Sequence, residues 1–316
     1  MKSNKKLLLL FLGLLLLFAL SQLFNSKKDR SFKSELLRVD TVSVNKIIIH
    51  SASDHQQETV LSRSGSKIWT ASQNGKTVPA IPGSVDGILK ELPLMKVKSI
   101  TTQSKDRWNE YEISDSIASH IEVFAGDKKL ADFYSGKFGF NPQAQSMLSY
   151  IRLKDDPTVY VVDGFQSMTF NAAFNSFRDK TISSFGPNEI EKVGISIQGS
   201  KSELVKSAQG WLLNGQAIKD STALQNYINS IISLNGSDIV EAANTPTVPI
   251  HSASLVAVNK NVNLDLYSSG DSLKPFLVHS SANADVYFKE DSAGVYNTVI
   301  GGLLSLMKPA PASKKK

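Results

Sequence analysis

Cysteine is absent from the 316-residue sequence. Without thiols the protein can form no disulfide bond, no thiolate zinc site, no iron–sulfur cluster and no cysteine nucleophile. A lipid anchor on a processed cysteine is excluded for the same reason. The stability of the fold must therefore come from the burial of apolar side chains, which make up 41% of the residues.

Recognisable catalytic motifs are also scarce. The sequence has no Gly-x-Ser-x-Gly nucleophile elbow and no His-Glu-x-x-His zinc motif. Gly75-Lys76-Thr77 lacks the upstream glycine of a phosphate loop, because that position is Thr70. Ser64-Gly65-Ser66-Lys67 matches Ser-x-x-Lys but lies in a predicted turn, and Asp155-Asp156-Pro157 lacks the spacing of an EF-hand loop. We therefore expect no catalytic residues and no bound cofactor.

The few histidines show no spacing typical of metal ligands. None of them is paired with another four residues away, as a helical zinc motif would require. We expect no metal site and interpret all five as surface or edge-strand residues: His50, His55, His120, His251 and His279.

Excess positive charge is confined to the two ends of the sequence. Residues 1–38 carry eight basic and two acidic side chains, and residues 308–316 carry four lysines and no acid. The body between them, residues 39–307, carries 23 basic and 27 acidic side chains. Because a nucleic-acid-binding domain needs a basic face, we expect no nucleic-acid partner. We interpret residues 308–316 as a basic, disordered tail.

One long apolar run lies near the N-terminus. A basic stub, residues 1–6, precedes 18 uncharged residues from Leu7 to Phe24. As a helix this run would be about 27 Å long, just enough for a hydrocarbon core of about 30 Å. The basic stub favours a cytoplasmic N-terminus. We therefore predict a single-pass signal anchor (residues 7–24) in the bacterial cytoplasmic membrane, with the lipid bilayer as a partner, then a linker (residues 25–38) and a body in the periplasm or outside.

A cleaved signal peptide is the alternative for this segment. Ala19-Leu20-Ser21 has small residues at both recognition positions of a cleavage site. The run is longer than the usual apolar region of about 7–15 residues. It also continues past this position as Gln22-Leu23-Phe24, which favours an uncleaved anchor.

Short strands, turns and amphipathic helices are predicted along the body. Ser64-Gly65-Ser66 predicts a hairpin and Asn74-Gly75 a further turn. From Pro82 to Leu94, apolar residues at i, i+3, i+4 and i+7 predict a helix with one buried face. A second helix is predicted over residues 163–177, where three phenylalanines at i, i+4 and i+7 are expected to pack in the core: Phe170, Phe174 and Phe177.

The second half of the body repeats this order. A hairpin leads into Trp211 as an earlier one leads into Trp69, and an Asn-Gly turn follows each tryptophan. A predicted helix over residues 220–233 takes the place of the helix over residues 82–94. A last predicted helix, residues 293–307, takes the place of the phenylalanine-rich one.

The repetition predicts an α+β fold with two tandem related domains, each an antiparallel sheet with helices on one face, after an N-terminal transmembrane helix. We place the first domain at residues 39–184 and the second at residues 185–307, because Phe185-Gly186-Pro187 interrupts the pattern. We also expect Trp69 and Trp211 to occupy equivalent positions in the two domains.

Spaced aromatic and charged residues carry a resemblance to a known family. After the helix that begins with proline come a Trp108–Tyr111 connection and a series of short motifs: Ile121-Glu122-Val123, Lys128-Lys129-Leu130, Tyr150-Ile151-Arg152, Val159-Tyr160 and Phe177-Arg178-Asp179-Lys180. This order resembles the bacterial family called domain of unknown function 4340 over roughly residues 60–240, with Tyr111-Glu112-Ile113 where the family has Tyr-Gly-Leu. The resemblance implies a membrane-anchored, extracytoplasmic protein, some of whose relatives are associated with ABC-transporter components linked to gliding motility. It implies no catalytic residues.

These observations favour a membrane-anchored, extracytoplasmic and non-enzymatic interaction module. Such a module would be an accessory of a cell-envelope or ABC-transporter complex, with an envelope membrane protein as its partner. Two alternatives remain open. A solute-binding protein would use a cleft between its two domains, which is a favoured place for ligand pockets. An envelope hydrolase would use scattered acidic residues that only folding brings together.

Overall fold

The structure is a computed structural model, and it describes residues 11, 13–15, 35–65, 68–241 and 248–307 of the chain. Within these residues, no helix combines the length and the apolar composition needed to cross a membrane. The predicted basic stub and the predicted tail lie outside the described residues. So do all but a few residues of the predicted anchor and linker.

The first of two compact units, Met1–Arg178, is built on a nine-stranded antiparallel sheet. Across the sheet the strands lie in the order β4-β3-β2-β1-β6-β7-β8-β9-β5, so the fifth strand forms an edge although it precedes four others in the sequence. Their bounds are β1 (Lys46–His50), β2 (Glu58–Ser64), β3 (Ile68–Gln73), β4 (Lys76–Pro79), β5 (Val97–Thr102), β6 (Ser119–Ala125), β7 (Lys128–Asn141), β8 (Ser146–Leu153) and β9 (Val159–Asp163).

Short helices complete this unit. Among the described residues from 35 to 178, two are α-helical, Ser84–Glu91 and Gln166–Thr169, and four are 3₁₀ helices: Ala52–Asp54, Leu92–Leu94, Lys105–Tyr111 and Phe174–Ser176. The helix Ser84–Glu91 buries Val85 and Ile88, as its periodicity predicts. These side chains join a core formed by alternate residues of the central strands, among them Ile47, Ile49, Ile121, Val123 and Phe133.

The strand pairing confirms both hairpins predicted here. Strands β2 and β3 pair antiparallel across the predicted hairpin, and Gln73 pairs with Lys76 across the Asn74-Gly75 turn. Asn74 and Gly75 have φ angles of 49° and 80°. A two-residue hairpin loop of this type requires positive φ at both positions, which explains the Asn-Gly sequence.

The helix predicted over residues 163–177 is wrong. Only Gln166–Thr169 is α-helical, and the chain leaves the helical path at Asn171. The oxygens of Asn171 accept hydrogen bonds from the hydroxyl groups of Ser51 and Ser119, which ties this segment to two strand ends instead of to a further helical turn. The aromatic stripe is nevertheless buried in the core as predicted: Phe170, Phe174 and Phe177.

The second unit, Asp179–Lys316, contains another nine-stranded antiparallel sheet and a two-stranded one. Its helices are Ser221–Ile231, which Asp220 caps by accepting a hydrogen bond from the Ala223 amide at 2.9 Å, and a π-type helix Ser292–Gly301 that continues as α-helix Gly302–Leu306. Its strands are β10 (Thr181–Ser184), β11 (Ile190–Ile197), β12 (Ser200–Ser207), β13 (Gly210–Leu213), β14 (Gln216–Ala217), β15 (Ser233–Asn235), β16 (Asp238–Glu241), β17 (His251–Ala257), β18 (Lys260–Ser268), β19 (Phe276–Ser280) and β20 (Asn283–Glu290).

The boundary between the units lies between Arg178 and Asp179, whereas the sequence pattern predicts it between residues 184 and 185. The physical reason is strand β10. It pairs with β15 in the two-stranded sheet, so it belongs to the second unit. Phe185, which follows β10, is buried in the core of the second unit.

The two large sheets have the same strand order. The second lies as β14-β13-β12-β11-β17-β18-β19-β20-β16, which matches the first strand for strand. Cross-strand partners can be followed from the β6–β7 turn through β1 and β2 to β3, and from the β17–β18 turn through β11 and β12 to β13. The same steps end at Trp69 in the first sheet and at Trp211 in the second. Each tryptophan carbonyl accepts a hydrogen bond from the first residue after its hairpin, Ala80 at 2.9 Å and Ile218 at 3.2 Å. These registers agree with the predicted equivalence of the two tryptophans.

Gly87→Ala is expected to raise the free energy of unfolding of the first unit by about 0.5–1 kcal/mol, because alanine has the higher helix propensity. Gly87 is an exposed residue of the helix Ser84–Glu91, and an added Cβ would meet nothing within 4 Å. The urea midpoint of the purified chain measures the effect.

Gly236→Ala is the matched variant, and it should lower the free energy of unfolding instead of raising it. Its added Cβ would lie 2.1 Å from the ring of Phe288, which is fully buried. A midpoint of Gly87→Ala at or below that of the unchanged protein would contradict the prediction.

Candidate functional site

The outer face of the first sheet carries a row of polar and aromatic side chains. Along β1 and β6, alternate residues point into the core, and the residues between them point to the opposite face. His50 pairs with His120 across β1 and β6, and His120 pairs with Tyr134 of β7, which in turn pairs with Arg152 of β8. Four neighbouring strands therefore place these side chains side by side on one face.

These side chains form a continuous stack. The rings of His50 and His120 have their centroids 5.7 Å apart and an interplanar angle of 14°. The rings of His120 and Tyr134 are closer, at 4.5 Å and 15°. The guanidinium carbon of Arg152 follows, 4.1 Å from the Tyr134 ring and 3.9 Å from the ring of Trp108. Trp108 belongs to the 3₁₀ helix Lys105–Tyr111, which covers this end of the stack.

Arg152 is the buried member of the stack, with 2% of its surface exposed. Its Nε donates to the carbonyl oxygen of Ile113 at 3.3 Å and its Nη1 to the carbonyl oxygen of Lys154 at 3.4 Å. Its remaining nitrogen forms an ion pair with Asp115. The flat cation thus lies between two aromatic faces, an arrangement that favours arginine over lysine.

Carboxylates surround the histidine end of the stack. His120 Nε2 donates to Asp132 Oδ1 at 2.7 Å, and Lys129 Nζ donates to Asp132 Oδ2 at 2.7 Å and also to Glu122. Burial acts to raise the pKa of Asp132, but the hydrogen bonds from Lys129 and His120 outweigh it and hold this pKa below its usual value. Hydrogen bonds to Asp132 and then Glu122 raise the pKa of Lys129. Both groups are therefore charged at neutral pH.

The histidine pair also brings ligand atoms together. One nitrogen of His50, one nitrogen of His120 and a carboxylate oxygen of Glu122 lie within 4.8 Å of one another. The side chains of His120 and Glu122 are 17% and 18% exposed, so they are mostly buried but still reachable from solvent. Imidazole nitrogen and carboxylate oxygen are donors that zinc and related divalent metals accept.

The second unit has serines at the corresponding positions. Ser196 pairs with Ser252 where His50 pairs with His120, and Ser254 stands in place of Glu122. The strand pairing is the same with either set of residues. The shared fold therefore does not require the histidines or the glutamate.

A second notable surface lies at the extended end of strands β7 and β8. Four large apolar side chains there are more than half exposed: Phe138, Phe140, Phe165 and Met168. Phe138 pairs with Ser149, whose hydroxyl donates to the Gly164 carbonyl and accepts from the Ser167 amide. The segment that carries Phe165 and Met168 therefore lies on the side of the sheet to which Phe138 and Phe140 point. We call these four residues the apolar patch.

The sequence pattern predicts neither the histidine pair nor the apolar patch. His50 and His120 look scattered in the sequence, because nothing local shows that strands 70 residues apart pair with each other. Phe138 and Phe140 alternate as ordinary strand residues do, which gives no sign of an exposed patch. Several motifs that carry the family resemblance do lie in the stack or beside it, including Trp108, Glu122, Lys129 and Arg152.

The fold defines an α+β protein with two large antiparallel sheets of nine strands each. Within that class the chain belongs to the family described as Domain of unknown function (DUF4340), whose family model matches residues 69–251. The matched region begins in β3 and ends at the first residue of β17, so it includes parts of both units. No curated protein and no solved structure is significantly similar to the chain.

Proposed function

We propose that the protein is a membrane-anchored, extracytoplasmic, non-enzymatic interaction module that serves as an accessory component of a cell-envelope or ABC-transporter complex. The observation that carries this proposal is the apolar patch on the first unit. Phe138 and Phe140 are 54% and 58% exposed, and Phe165 and Met168 are 55% and 54% exposed. Clustered exposed apolar side chains of this kind mark interaction surfaces, because leaving them in water costs free energy that a partner recovers.

A protein partner fits the patch better than a lipid surface does. Anionic lipid headgroups attract free lysines and arginines. The four residues of the patch include no lysine or arginine, and the side chain of the neighbouring Lys137 lies on the other face of the sheet, where it donates to the Glu110 carbonyl. Aromatic and methionine side chains with a polar surround are the composition of protein interfaces.

We also infer that the two units are tandem related domains, each an antiparallel sheet with helices packed on its core face. Their identical strand order and the corresponding rows of Trp69 and Trp211 support this inference. A duplicated scaffold leaves one copy free to acquire a surface that the other lacks. The histidine pair of the first unit is such a difference.

The interaction can be tested by site-specific photo-crosslinking in cells. Benzoylphenylalanine in place of Phe140 should cross-link to one envelope membrane protein, identified by mass spectrometry and by crosslinking from the partner's side. The same photoreactive residue at Val258, which is 75% exposed in the second unit, is the matched control. The same products from both positions, or no product from position 140, would count against the proposal.

The position at which the mature protein begins tests the membrane anchor. We expect the protein to stay in the membrane fraction with Leu7–Phe24 intact, because the apolar run continues past the candidate cleavage position after Ser21. N-terminal sequencing of the protein from fractionated cells measures this. A mature chain that begins at Gln22 in the soluble fraction would contradict the anchor.

A further inference from the structure

We propose that His50, His120 and Glu122 bind a divalent transition-metal ion, with zinc as the ion that best fits their nitrogen and oxygen donors. This site is independent of the apolar patch and of the proposed function. The ligand atoms already lie within 4.8 Å of one another. In a tetrahedral zinc site, ligand atoms are about 3.3 Å apart at metal–ligand distances of about 2.0 Å. Small rotations of these side chains close the difference.

The backbone holds the three ligands in a fixed arrangement. His50 and His120 are direct cross-strand partners on β1 and β6, and Glu122 follows His120 by two residues on the same face. Paired strands in the middle of a nine-stranded sheet move little, so the ion would not have to organise its own site.

Both imidazoles have oxygen partners of the kind that orient metal ligands. His50 Nδ1 donates to the Gln56 carbonyl at 3.4 Å, and His120 lies 2.7 Å from Asp132. In metal sites such partners fix the ring orientation and increase the basicity of the ligand. Glu58 adds a further carboxylate 3.7 Å from His50.

A positive charge already lies where the ligands converge. The ammonium of Lys129 is bound to both Glu122 and Asp132, and its side chain is 42% exposed. Around the two imidazoles, three carboxylates (Glu58, Glu122 and Asp132) thus face the ammonium of Lys129, and Lys154 adds a second positive charge that acts on Asp132 without a direct hydrogen bond to it. A divalent ion would satisfy this charge balance better than a single lysine, and Lys129 can swing into solvent as the ion enters.

Zinc titration of the full-length, purified protein without a polyhistidine tag tests the site. A competing chromophoric chelator reports the affinity, and we expect one zinc ion per chain. His50→Ser/His120→Ser should weaken this binding by about 100-fold or more, because two of the three ligands are lost. This variant places in the first sheet the serine pair that the second sheet has at the same positions, so we expect it to fold.

Lys129→Ala provides an independent test, because it should strengthen zinc binding where the double serine variant weakens it. Removal of the competing ammonium should tighten zinc binding by about tenfold, since Glu122 is then free to coordinate. His279→Ser, which removes a histidine of the second unit, should leave the affinity unchanged. Unchanged affinity in the double serine variant, weaker binding by Lys129→Ala, or no 1:1 binding by the unchanged protein would overturn the proposal.

Discussion

Arg152→Ala should lower the free energy of unfolding of the first unit by about 3–5 kcal/mol. The substitution removes a side chain that is 2% exposed and lies between the rings of Tyr134 and Trp108. It leaves a void between two aromatic faces and deprives the carbonyl oxygen of Ile113 of its donor. Desolvated cation–π contacts contribute about 2 kcal/mol each, so the loss of both contacts and of the hydrogen bond accounts for the expected size.

Urea denaturation followed by tryptophan fluorescence measures this loss. Arg107→Ala is the matched control, because Arg107 is about half exposed and pairs with Glu110 and Tyr111 on the surface. It should change the free energy of unfolding only slightly, because ion pairs on the surface contribute little to stability. Arg152→Lys should fall between the two, since lysine keeps the charge but not the planar group. A loss for Arg152→Ala no larger than for Arg107→Ala would show that the stack does not hold the segment Lys105–Tyr111 to the sheet.

Phe138→Ser/Phe140→Ser should weaken binding of the cross-linked partner by at least about 100-fold while leaving the fold intact. A factor of 100 corresponds to about 2.8 kcal/mol, which is within the range for two aromatic residues at the centre of an interface. Both side chains are more than half exposed in the free protein, so their removal should change the free energy of unfolding by less than about 1 kcal/mol.

Co-purification of the partner from detergent-solubilised membranes, quantified against the unchanged protein, measures the first effect, and urea denaturation measures the second. Val258→Ser is the control, because it removes an equally exposed apolar side chain from the second unit. Equal recovery of the partner with the double variant and with the control would exclude the apolar patch as the binding surface.

The sequence predicts well those turns and helices that depend on residues close to one another along the chain. The Asn74-Gly75 turn and the helices Ser84–Glu91 and Ser221–Ile231 follow from turn chemistry and apolar periodicity, which act within a few residues. The failure over residues 163–177 has a non-local cause, because Asn171 is held by serines that lie far away in the sequence. A buried aromatic stripe predicts the core there but not the backbone path.

The candidate sites are less accessible to sequence reasoning. His50 and His120 become neighbours only because β1 pairs with β6, and strand β5 lies between them in the sequence but at the far edge in the sheet. Arg152 belongs to a motif that carries the family resemblance, yet its place between two rings depends on the segment Lys105–Tyr111 crossing the outer face. Strand pairing order, rather than residue type, is the information that the sequence pattern lacks.

The position of β5 has a consequence for how the protein is made. Ile100 of β5 lies opposite Tyr160 of β9, so β5 has no partner until the ribosome has synthesised the last strand of the sheet. The same holds for β16, whose Ile239 lies opposite Phe288 of β20. Each sheet is therefore finished late, by contacts between distant residues, which slows folding and leaves strand edges exposed in incomplete chains. Nascent chains that stop before residue 163 should depend on holding chaperones because the first sheet is incomplete, and chains that stop before residue 290 because the second sheet is incomplete.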